Sequence, residues 1–354
     1  MKGLILSGGK GSRLRPLTYT RAKQLIPIAN KPILFYALES VRDAGIRDIG
    51  IIVGDTKNEI MEALGDGSRF GVKLTYIQQE APLGLAHAVL TAESFIQDEP
   101  FVMFLGDNFI QDKLETFVRK YEETKSNALL LLNPVSHPQD FGVVELKDNK
   151  IVRLVEKPKN PPSNLALVGV YLFDKHIFQA ARKIKPSFRN ELEITDAISV
   201  LLQENYTIHC HIITGWWKDT GTLEDILEAN RIALEHIDAE NHGVLQGDSI
   251  LHGRVYIGKG TKIVDSMIRG PAVIGENCII RKSYVGPFTS IGDEACIEES
   301  EVEHSILLKG ASIQGIGSRI QDSLLGVDAK IIKNHTRPHA LKFMVGDHSQ
   351  VHVL

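Results

Sequence analysis

The first 25 residues combine glycines and cations in a way that is typical of a phosphate site. An apolar run that reads as a strand opens into three glycines, which let backbone N–H groups approach an anion closely. Arg13 and Lys23 follow and supply positive charge. The pattern therefore predicts a strand, a phosphate loop and two cations, a combination that suits a triphosphate. The candidate residues of this phosphate site are Leu6, Gly8, Gly9, Gly11, Ser12, Arg13 and Lys23.

Two common phosphate motifs do not fit this loop. A P-loop ends in Gly-Lys-Ser/Thr, but here the next cation after Gly11 is Arg13. A dinucleotide-binding loop needs a third glycine where this chain has Leu14. An ordinary strand-to-loop turn stays open as the alternative.

Two aspartates lie where a metal could be held. Asp107 directly follows the apolar run Phe101–Leu105 and Gly106, at the edge where open α/β sheets bind ligands. Asp219 follows two tryptophans and precedes a predicted helix. Either residue could simply be a turn former or a helix cap, but together with a triphosphate they could hold one Mg²⁺.

Further polar residues suit a phosphorylated sugar and a base. Glu156 and Lys157 end a predicted strand before a proline, and they offer acceptors to hydroxyls and a cation to a phosphate, although a surface hairpin would look the same. The charged run 189–196 precedes a helix, as solvated caps often do. Gln79, a strand-end amide ahead of the Gly84 segment, suits a base edge.

Covalent and zinc chemistry find no support in the pattern. His87 and the pair His209 and His211 lack carboxylate or cysteine partners at ligand spacing. The chain shows no Gly-x-Ser-x-Gly elbow and no Cys-His arrangement. Catalysis by a metal and by positioning is what the residues favour.

The elements that must position these residues form two regions. Up to about residue 220, short apolar runs alternate with amphipathic ones, which predicts an α/β fold, a doubly wound mixed sheet. A connecting helix is predicted over 222–240, with Thr222 and Asp225 as a near capping box. We therefore predict a catalytic domain over 1–240 and a second domain over 241–354.

The second region has an internal repeat. Ile257, Ile274 and Ile291 are spaced 17 residues apart, and small residues follow each of them at a fixed position. This spacing predicts one turn of a triangular parallel β-helix per repeat, over residues 244 to about 335. Cys278 occupies a small-residue slot and is interpreted as structural. After Ser300 the register slips, which indicates an inserted loop or a larger coil.

Composition sets the outer limits. The 354 residues are 43% hydrophobic, enough for a large core, and the net charge of -4 provides no basic field for nucleic acid or an anionic membrane. Three separated cysteines argue against a disulfide framework, and neither a leader nor a span of ~20 apolar residues is seen. A cytoplasmic protein is expected.

Taken together, the motifs resemble the sugar-1-phosphate nucleotidyltransferases, in particular the long thymidylyltransferases that act on glucose 1-phosphate. The resemblance covers the first 240 residues, and the repeats look like the left-handed β-helix of the long forms. It implies Mg²⁺-dependent transfer from dTTP to glucose 1-phosphate, giving dTDP-glucose and pyrophosphate for activated-sugar biosynthesis. The motifs that carry it are Gly8–Leu14, Lys23–Pro27, Leu105–Asn108, Glu156–Pro158, Arg189–Asp196 and Asp219–Thr222.

The resemblance also implies a role for each site residue. Arg13 and Lys23 would hold the β and γ phosphates, and Asp107 and Asp219 the Mg²⁺. The catalytic set it implies is Arg13, Lys23, Asp107, Lys157 and Asp219. The nucleotide would contact Leu6, Gly8, Gly9, Gly11, Ser12, Arg13, Gln24, Gln79, Gly84 and Gly106. The sugar phosphate would contact Asn108, Gly142, Glu156, Lys157, Val168 and Arg189.

Four positions depart from the family pattern, and two alternatives stay open. The departures are Ser12, Leu83, His87 and Phe141, the last of which removes a hydroxyl near the sugar. Because thymine differs from uracil by one methyl group, some use of UTP is expected. The alternatives are a bifunctional enzyme whose β-helix acetylates an amino sugar, with His304, His335 or His339 as base, and a sensor that binds without turnover. A homo-oligomer assembled through the β-helix is expected.

Overall fold

The computed structural model describes residues 1–9, 11–148, 150–333 and 351. So far as they are described, the residues form two compact units. The first comprises residues 1–9, 21–25 and 33–219, and the second comprises 11–20, 26–32 and 220–333. The domain boundary at residue 240 stays a prediction.

The first unit is built on one mixed sheet. Four parallel strands run in the order β6, β1, β4, β5, and β11, β9 and β10 continue the sheet beyond β6 with antiparallel pairing. β8 pairs with β11 and with β12. The strands up to residue 219 are β1 (Lys2–Ser7), β2 (Pro27–Ile28), β3 (Lys31–Pro32), β4 (Asp48–Val53), β5 (Lys73–Gln78), β6 (Phe101–Leu105), β7 (Asn108–Ile110), β8 (Ala128–Pro134), β9 (Gly142–Lys147), β10 (Lys150–Glu156), β11 (Leu165–Phe173), β12 (Ile208–Ile212) and β13 (Trp217–Asp219).

Helices cover both faces of this sheet, because alternate strand residues point to opposite sides. Ile5 of β1 belongs to one apolar core with α1 and α5, whereas Leu4 and Leu6 belong to a second core with α3, α6 and α7. This is the predicted doubly wound α/β fold. The helices are α1 (Ile33–Asp43), α2 (Lys57–Leu64), α3 (Leu85–Thr91), α4 (Glu93–Ile96), α5 (Leu114–Thr124), α6 (His176–Lys183), α7 (Ile194–Gln203) and α8 (Leu223–Leu234).

Two helical segments are shorter than a continuous helix would be. Residues 85–96 form two helices divided at Ala92, whose N–H is shared between the carbonyls of Ala88 and Val89, so that the turn tightens there. The connecting helix ends at Leu234 and not at residue 240, because Glu240–Asn241 already forms the first strand of the β-helix. Its capping box is complete, with Thr222 and Asp225 bonding each other's backbone N–H.

Within the described residues, the second unit contains three stacks of short parallel strands, one on each side of a triangular coil. Inward aliphatics such as Ile263, Ile280 and Ile297 pair in register and are fully buried. This confirms the predicted parallel β-helix. The stacks are Glu240–Asn241, Val255–Ile257, Ala272–Ile274, Thr289–Ile291, Ile306–Leu307 and Leu324–Leu325; Val244–Gln246, Lys262–Val264, Ile279–Arg281, Cys296–Glu298, Ser312–Gln314 and Lys330–Ile332; and Ile250–His252, Met267–Arg269, Tyr284–Val285, Glu301–Glu303 and Ile320–Gln321.

The predicted small-residue slots and register slip are both present. Thr261, Cys278 and Ala295 are buried at the corners, and burial raises the pKa of the Cys278 thiol to about 11, which fits a structural role. The spacing first falls from 17 to 16 residues, between Ser290 and Ile306, and then rises to 18, between Val302 and Ile320, because residues 315–319 lengthen that coil.

One buried asparagine connects three parts of the second unit. Asn230 of α8 accepts a hydrogen bond from the N–H of Ala29 at 2.8 Å and one from the Ser290 hydroxyl at 2.6 Å. Its amide nitrogen donates to the carbonyl of Phe288 at 3.0 Å. Asn230 thereby ties the β2–β3 hairpin and α8 to the β-helix.

Two further observations complete the fold. In the part of the chain that the structure describes, no helix is both long and apolar enough to cross a bilayer. His304, one of the three candidate acetyltransferase bases, is hydrogen-bonded through Nδ1 to Oδ1 of Asp322 at 2.6 Å. His335 and His339 lie outside the described residues.

Candidate active site

The predicted phosphate loop begins where β1 meets its two parallel neighbours. Leu6 pairs with Ile52 of β4 and Leu105 of β6, and the N–H of Gly106 donates to the Leu6 carbonyl at 2.9 Å. A Cβ on Gly106 would lie 3.0 Å from that carbonyl oxygen, so glycine allows the close approach. Leu6 and Gly106 therefore meet at the carboxyl edge of the sheet.

Two buried amides lie against the start of the loop. A Cβ on Gly8 would lie 3.3 Å from Oε1 of Gln79, and one on Gly9 would lie 3.6 Å from Nε2 of Gln24. Gln24 and Gln79 are only 2% and 8% exposed. Oε1 of Gln24 is buried with no hydrogen-bond partner among the described residues, so it offers an unused acceptor beside the loop.

A lysine and two aspartates gather at the end of β6. Lys23 Nζ lies 2.5 Å from Oδ2 of Asp107 and 3.8 Å from Oδ1 of Asp219. The two carboxylates approach each other because β13 pairs antiparallel with β7, with Asp219 opposite Asn108. The predicted acidic pair is thus brought together around one cationic group.

Charge complementarity controls the ionisation of Asp107. Burial disfavours its charged form, but the Lys23 ammonium and hydrogen bonds, including one from the Asn108 amide at 3.1 Å, outweigh burial and lower the pKa of Asp107. A carboxylate that stays charged at neutral pH is what a divalent cation requires of its ligand.

Gly11, Ser12 and Arg13 belong to the second compact unit. Gly11 has a φ of +61°, a left-handed conformation that glycine adopts easily, and its carbonyl accepts a hydrogen bond from the Thr18 hydroxyl at 2.8 Å. Ser12 and Arg13 then form a short 3₁₀ turn with Leu14. Their role at phosphates stays a prediction.

The predicted sugar-phosphate residues form a second charged group. Glu156 lies opposite Gly142 in the β9–β10 pair, and its carboxylate contacts Arg189 at 3.5 Å and the Thr195 hydroxyl at 3.3 Å. Lys157 adopts a left-handed φ of +40°, and its N–H donates to the Phe141 carbonyl at 3.0 Å. Glu156, Gly142 and Arg189 are therefore brought together at the end of this strand pair.

The pKa of Glu156 shifts in the opposite direction to that of Asp107, although burial raises both. Burial and the neighbouring Glu193 carboxylate raise the pKa of Glu156, and the attraction of Lys157 and Arg189 offsets this only in part. Glu156 is thus a carboxylate that an additional hydrogen-bond donor, such as a sugar hydroxyl, would stabilise.

The Asn108 side chain lies against the backbone of β11 at Gly169, the residue that follows Val168. The side chain of Val168 is fully buried, so only its backbone can face a ligand. The next residue, Gly169, has a φ of +79°, and a Cβ there would lie 3.1 Å from the Asn108 amide. The sequence did not suggest that Trp217 holds Asn108, but its Nε1 donates to Oδ1 of Asn108 at 2.5 Å.

The other missed residue is His87, which the sequence singled out only as a departure and as an unsuitable zinc ligand. Its Nδ1 lies 3.0 Å from Nε2 of Gln79. Gln79 also contacts the Gly84 carbonyl at 3.3 Å, so the predicted base-reading residues lie together. The eight-residue separation of Gln79 and His87, a strand end followed by a helix, was the signal that could have connected them.

The fold and the site together indicate a nucleotidyltransferase, and comparison with known proteins agrees. Residues 2–236 match the family model described as nucleotidyl transferase, and the chain belongs to this family. It is 48% identical over 354 residues to a glucose-1-phosphate thymidylyltransferase of Streptomyces griseus, which covers all of this chain and 99% of the relative.

Two further similarities extend the comparison. The chain is 45% identical over 356 residues, 99% of each protein, to the low-salt glycan biosynthesis nucleotidyltransferase Agl11 of Haloferax volcanii. It superposes with a TM-score of 0.64 and 37% identity on a sucrose-bound Bacillus anthracis structure, whose protein is named provisionally as a glucose-1-phosphate thymidylyltransferase. That match covers 68% of this chain and 98% of the other. The predicted family and fold class are confirmed.

Proposed function

We propose that this chain transfers the nucleotidyl group of dTTP to glucose 1-phosphate and releases dTDP-glucose and pyrophosphate. The observation that carries the proposal is the meeting of Lys23, Asp107 and Asp219 at the sheet edge where the Gly8–Gly9 loop begins. The full-length similarity to a protein named glucose-1-phosphate thymidylyltransferase supports this choice of substrates.

The reaction needs positioning and charge neutralisation more than proton transfer. A phosphate oxygen of the sugar phosphate, already negatively charged, attacks the α-phosphorus in line, and the bond to the pyrophosphate oxygen breaks. No general base and no covalent enzyme intermediate are required. The enzyme's task is to hold two polyanions together and stabilise the charge on the transferred group.

On the nucleotide side, Lys23 and Arg13 would neutralise the β and γ phosphates. The open backbone at the start of the loop would admit the triphosphate, and the unused Oε1 of Gln24 would accept a hydrogen bond from the nucleotide. Gln79 with the Gly84 backbone would recognise the base. The remaining proposed contacts are Leu6, Gly8, Gly9, Gly11, Ser12 and Gly106.

On the sugar side, Lys157 and Arg189 would neutralise the attacking phosphate. Glu156 would accept hydrogen bonds from hexose hydroxyls. Its raised pKa supports this role, because such donors would stabilise the ionised carboxylate. The proposed contacts are completed by Asn108 and by the backbone of Gly142 and Val168.

The residues present fit a divalent cation. Lys23 already places one positive group between the Asp107 and Asp219 carboxylates, which indicates that the two share a position suited to a cation. Within the described residues no group of three or more His, Cys, Asp or Glu side chains gathers at ligand distance, so phosphate oxygens and water would supply the other ligands. We propose Mg²⁺ held by Asp107 and Asp219, where it would stabilise charge on the reacting phosphates.

Isosteric removal of one carboxylate tests the proposal. In Asp107→Asn the shape is kept but one negative charge is lost, so we expect kcat to fall by about 100-fold to 1,000-fold. The measurement is pyrophosphate release from dTTP and glucose 1-phosphate, with a melting curve to confirm folding. Asp98→Asn, which removes an exposed aspartate paired with Lys175, is the matched control and should keep the normal rate. Near-normal turnover in Asp107→Asn would remove this residue from the metal site.

We also propose that residues 1–240 form the catalytic domain and that the β-helix region over 241–354 mediates self-association. A repeat coil leaves an apolar end at each terminus, and the inward residue Leu245 of the first coil is 39% exposed. Light scattering at micromolar concentration tests this, and a monomeric mass would contradict it.

A further inference from the structure

Gln79 is held in one orientation by two contacts on the same side of its amide. Nε2 donates to the Gly84 carbonyl at 3.3 Å and faces Nδ1 of His87 at 3.0 Å. A primary amide nitrogen carries two hydrogens and no acceptor, so both contacts can be made only with the nitrogen on that side. His87 must then accept through Nδ1 and carry its ring proton on Nε2.

The same contacts determine where the amide oxygen points. Oε1 of Gln79 lies on the Gly8 side, 3.3 Å from the position that a Cβ on Gly8 would occupy. The residue is 8% exposed, so the amide has few alternative partners in solvent. At the start of the phosphate loop, Gln79 therefore presents an acceptor and not a donor.

His87 is itself firmly placed. The start of α3 and the residues just before it are joined to Leu192 by two backbone hydrogen bonds, from Ala86 N–H to the Leu192 carbonyl at 3.0 Å and from Leu192 N–H to the Leu83 carbonyl at 2.7 Å. Gly84 has a φ of +104°, and a Cβ there would lie 2.4 Å from the Leu192 oxygen. These contacts hold the start of α3, and with it His87, against Leu192.

The orientation of this acceptor has a chemical consequence for base selection. Thymine and uracil carry a hydrogen on ring nitrogen N3, which can donate to Oε1. Cytosine has an unprotonated N3 and an exocyclic amino group at position 4, so the donor and acceptor at positions 3 and 4 are interchanged relative to thymine and uracil. A flipped amide, with Nε2 toward the base, would suit cytosine N3 instead.

We infer that His87 is a positioning residue that locks the Gln79 amide with its oxygen toward the nucleobase, and that this lock selects bases with a ring N–H over cytosine. The inference rests on the proposed function for the location of the base. It assigns to His87 a role in the choice among pyrimidine nucleotides, and none in the chemical step.

Three substitutions at one position separate this role from a merely structural one. His87→Gln keeps an acceptor for Gln79 Nε2, His87→Leu removes it, and His87→Lys offers donors only, which favours the flipped amide. Binding of dTTP and of dCTP to the full chain is measured by calorimetry without sugar phosphate. His176→Leu, which removes a histidine bonded to Asp174 at the start of α6, is the control.

The readout is the ratio of the affinity for dTTP to the affinity for dCTP. We expect His87→Gln and the control to stay within about twofold of wild type, and His87→Leu to lower the preference for dTTP about fivefold to tenfold, the effect of one neutral hydrogen bond. His87→Lys should lower it further, and this variant also serves if His87→Leu does not fold. An unchanged ratio in a folded His87→Leu or His87→Lys protein would overturn the inference.

The proposed function is judged by a separate measurement. Wild type that binds dTTP over dCTP but releases no pyrophosphate with glucose 1-phosphate would contradict the proposed reaction and leave the role of His87 intact. Normal turnover in wild type, together with an unchanged ratio of dTTP to dCTP affinity in the His87 variants, would support the proposed reaction and contradict the role of His87.

Discussion

Single residues at this site owe their charge states to their neighbours. The Lys23 ammonium outweighs burial and lowers the pKa of Asp107, whereas burial and Glu193 raise the pKa of Glu156 despite two nearby cations. The first arrangement keeps a carboxylate ready for a cation. The second leaves a carboxylate whose ionised form is destabilised and would be stabilised by an additional hydrogen-bond donor. This is the behaviour expected of a residue that binds hydroxyl groups.

The raised pKa of Glu156 makes a pH-dependent prediction about stability. The folded state binds this proton more tightly than the unfolded state, so Glu156 stabilises the protein least above its folded pKa. Glu156→Gln removes the charge, and we expect its melting temperature to exceed that of wild type at pH 8. The advantage should shrink as the pH falls towards 4, because wild type then becomes protonated. Melting curves from pH 8 to pH 4 measure it.

A second variant provides a control of opposite sign. The Thr195 hydroxyl donates to Glu156 at 3.3 Å and partly offsets the rise in its pKa. Thr195→Val should therefore raise the pKa of Glu156 further and lose more stability at pH 8 than at pH 4. If Glu156→Gln gains stability equally at both ends of the range, the charge of Glu156 is not the cause.

At the scale of elements, the sequence predicted the long strands and helices but not the short pairing that completes the site. Phe101–Leu105 is recognisable as a strand because it is uniformly apolar, and Asp107 follows it. β7 and β13 have only three residues each, too few for a period to be visible. Their pairing, which places Asp219 opposite Asn108, depends on tertiary contacts such as that of Trp217 with Asn108.

Asn230 shows the same limit for a single polar residue in a helix. Its position in α8 gives no sign that it is fully buried, since asparagine in a helix is ordinarily solvated. Its partners, Ala29 and Ser290, are distant in sequence and come together only in the fold. By contrast, Thr222 could be identified as a cap because its partner Asp225 is three residues away.

The complete capping box of α8 makes a prediction at this scale. Thr222 Oγ1 accepts from the Asp225 N–H at 3.2 Å, and the Thr222 N–H donates to the Asp225 carboxylate at 3.1 Å. Thr222→Ala leaves the Asp225 N–H without its acceptor, so we expect the free energy of unfolding to fall by about 1 kcal/mol. Chemical denaturation measures the loss.

Serine at this position is the matched control for the cap. Thr222→Ser keeps the hydroxyl and should stay within about 0.5 kcal/mol of wild type, since serine is at least as good an N-cap as threonine. Equal losses in the alanine and serine variants would show that the threonine methyl group, and not the cap, stabilises the helix.

For the whole molecule, the sequence was most informative where the fold repeats. The 17-residue period predicted the β-helix because each coil must place an aliphatic side chain at the same three inward positions. The period fails after Ser300, where paired residues are first 16 positions apart, as in Ser290 and Ile306, and then 18 apart because residues 315–319 extend the next coil before Ile320. An insertion of this kind alters the spacing but not the inward positions, so the solenoid continues.

The β-helix core is separate from the two cores that flank the catalytic sheet, and its stability can be tested with two adjacent isoleucines. Ile280 points inward and is fully buried, while Ile279 on the same strand is 39% exposed. Ile280→Ala leaves a cavity between neighbouring coils, and we expect a loss of about 2 to 5 kcal/mol in the free energy of unfolding. Ile279→Ala removes the same atoms from the surface and should cost less than about 1 kcal/mol.

Calorimetry shows where in the molecule the stability is lost. Each coil contacts its neighbours through paired inward residues, so the loss in Ile280→Ala should appear in the unfolding of the β-helix. Pyrophosphate release should be unchanged at temperatures where the chain is folded. Equal losses in the two variants would contradict the inward position of Ile280 and with it the register of the coils.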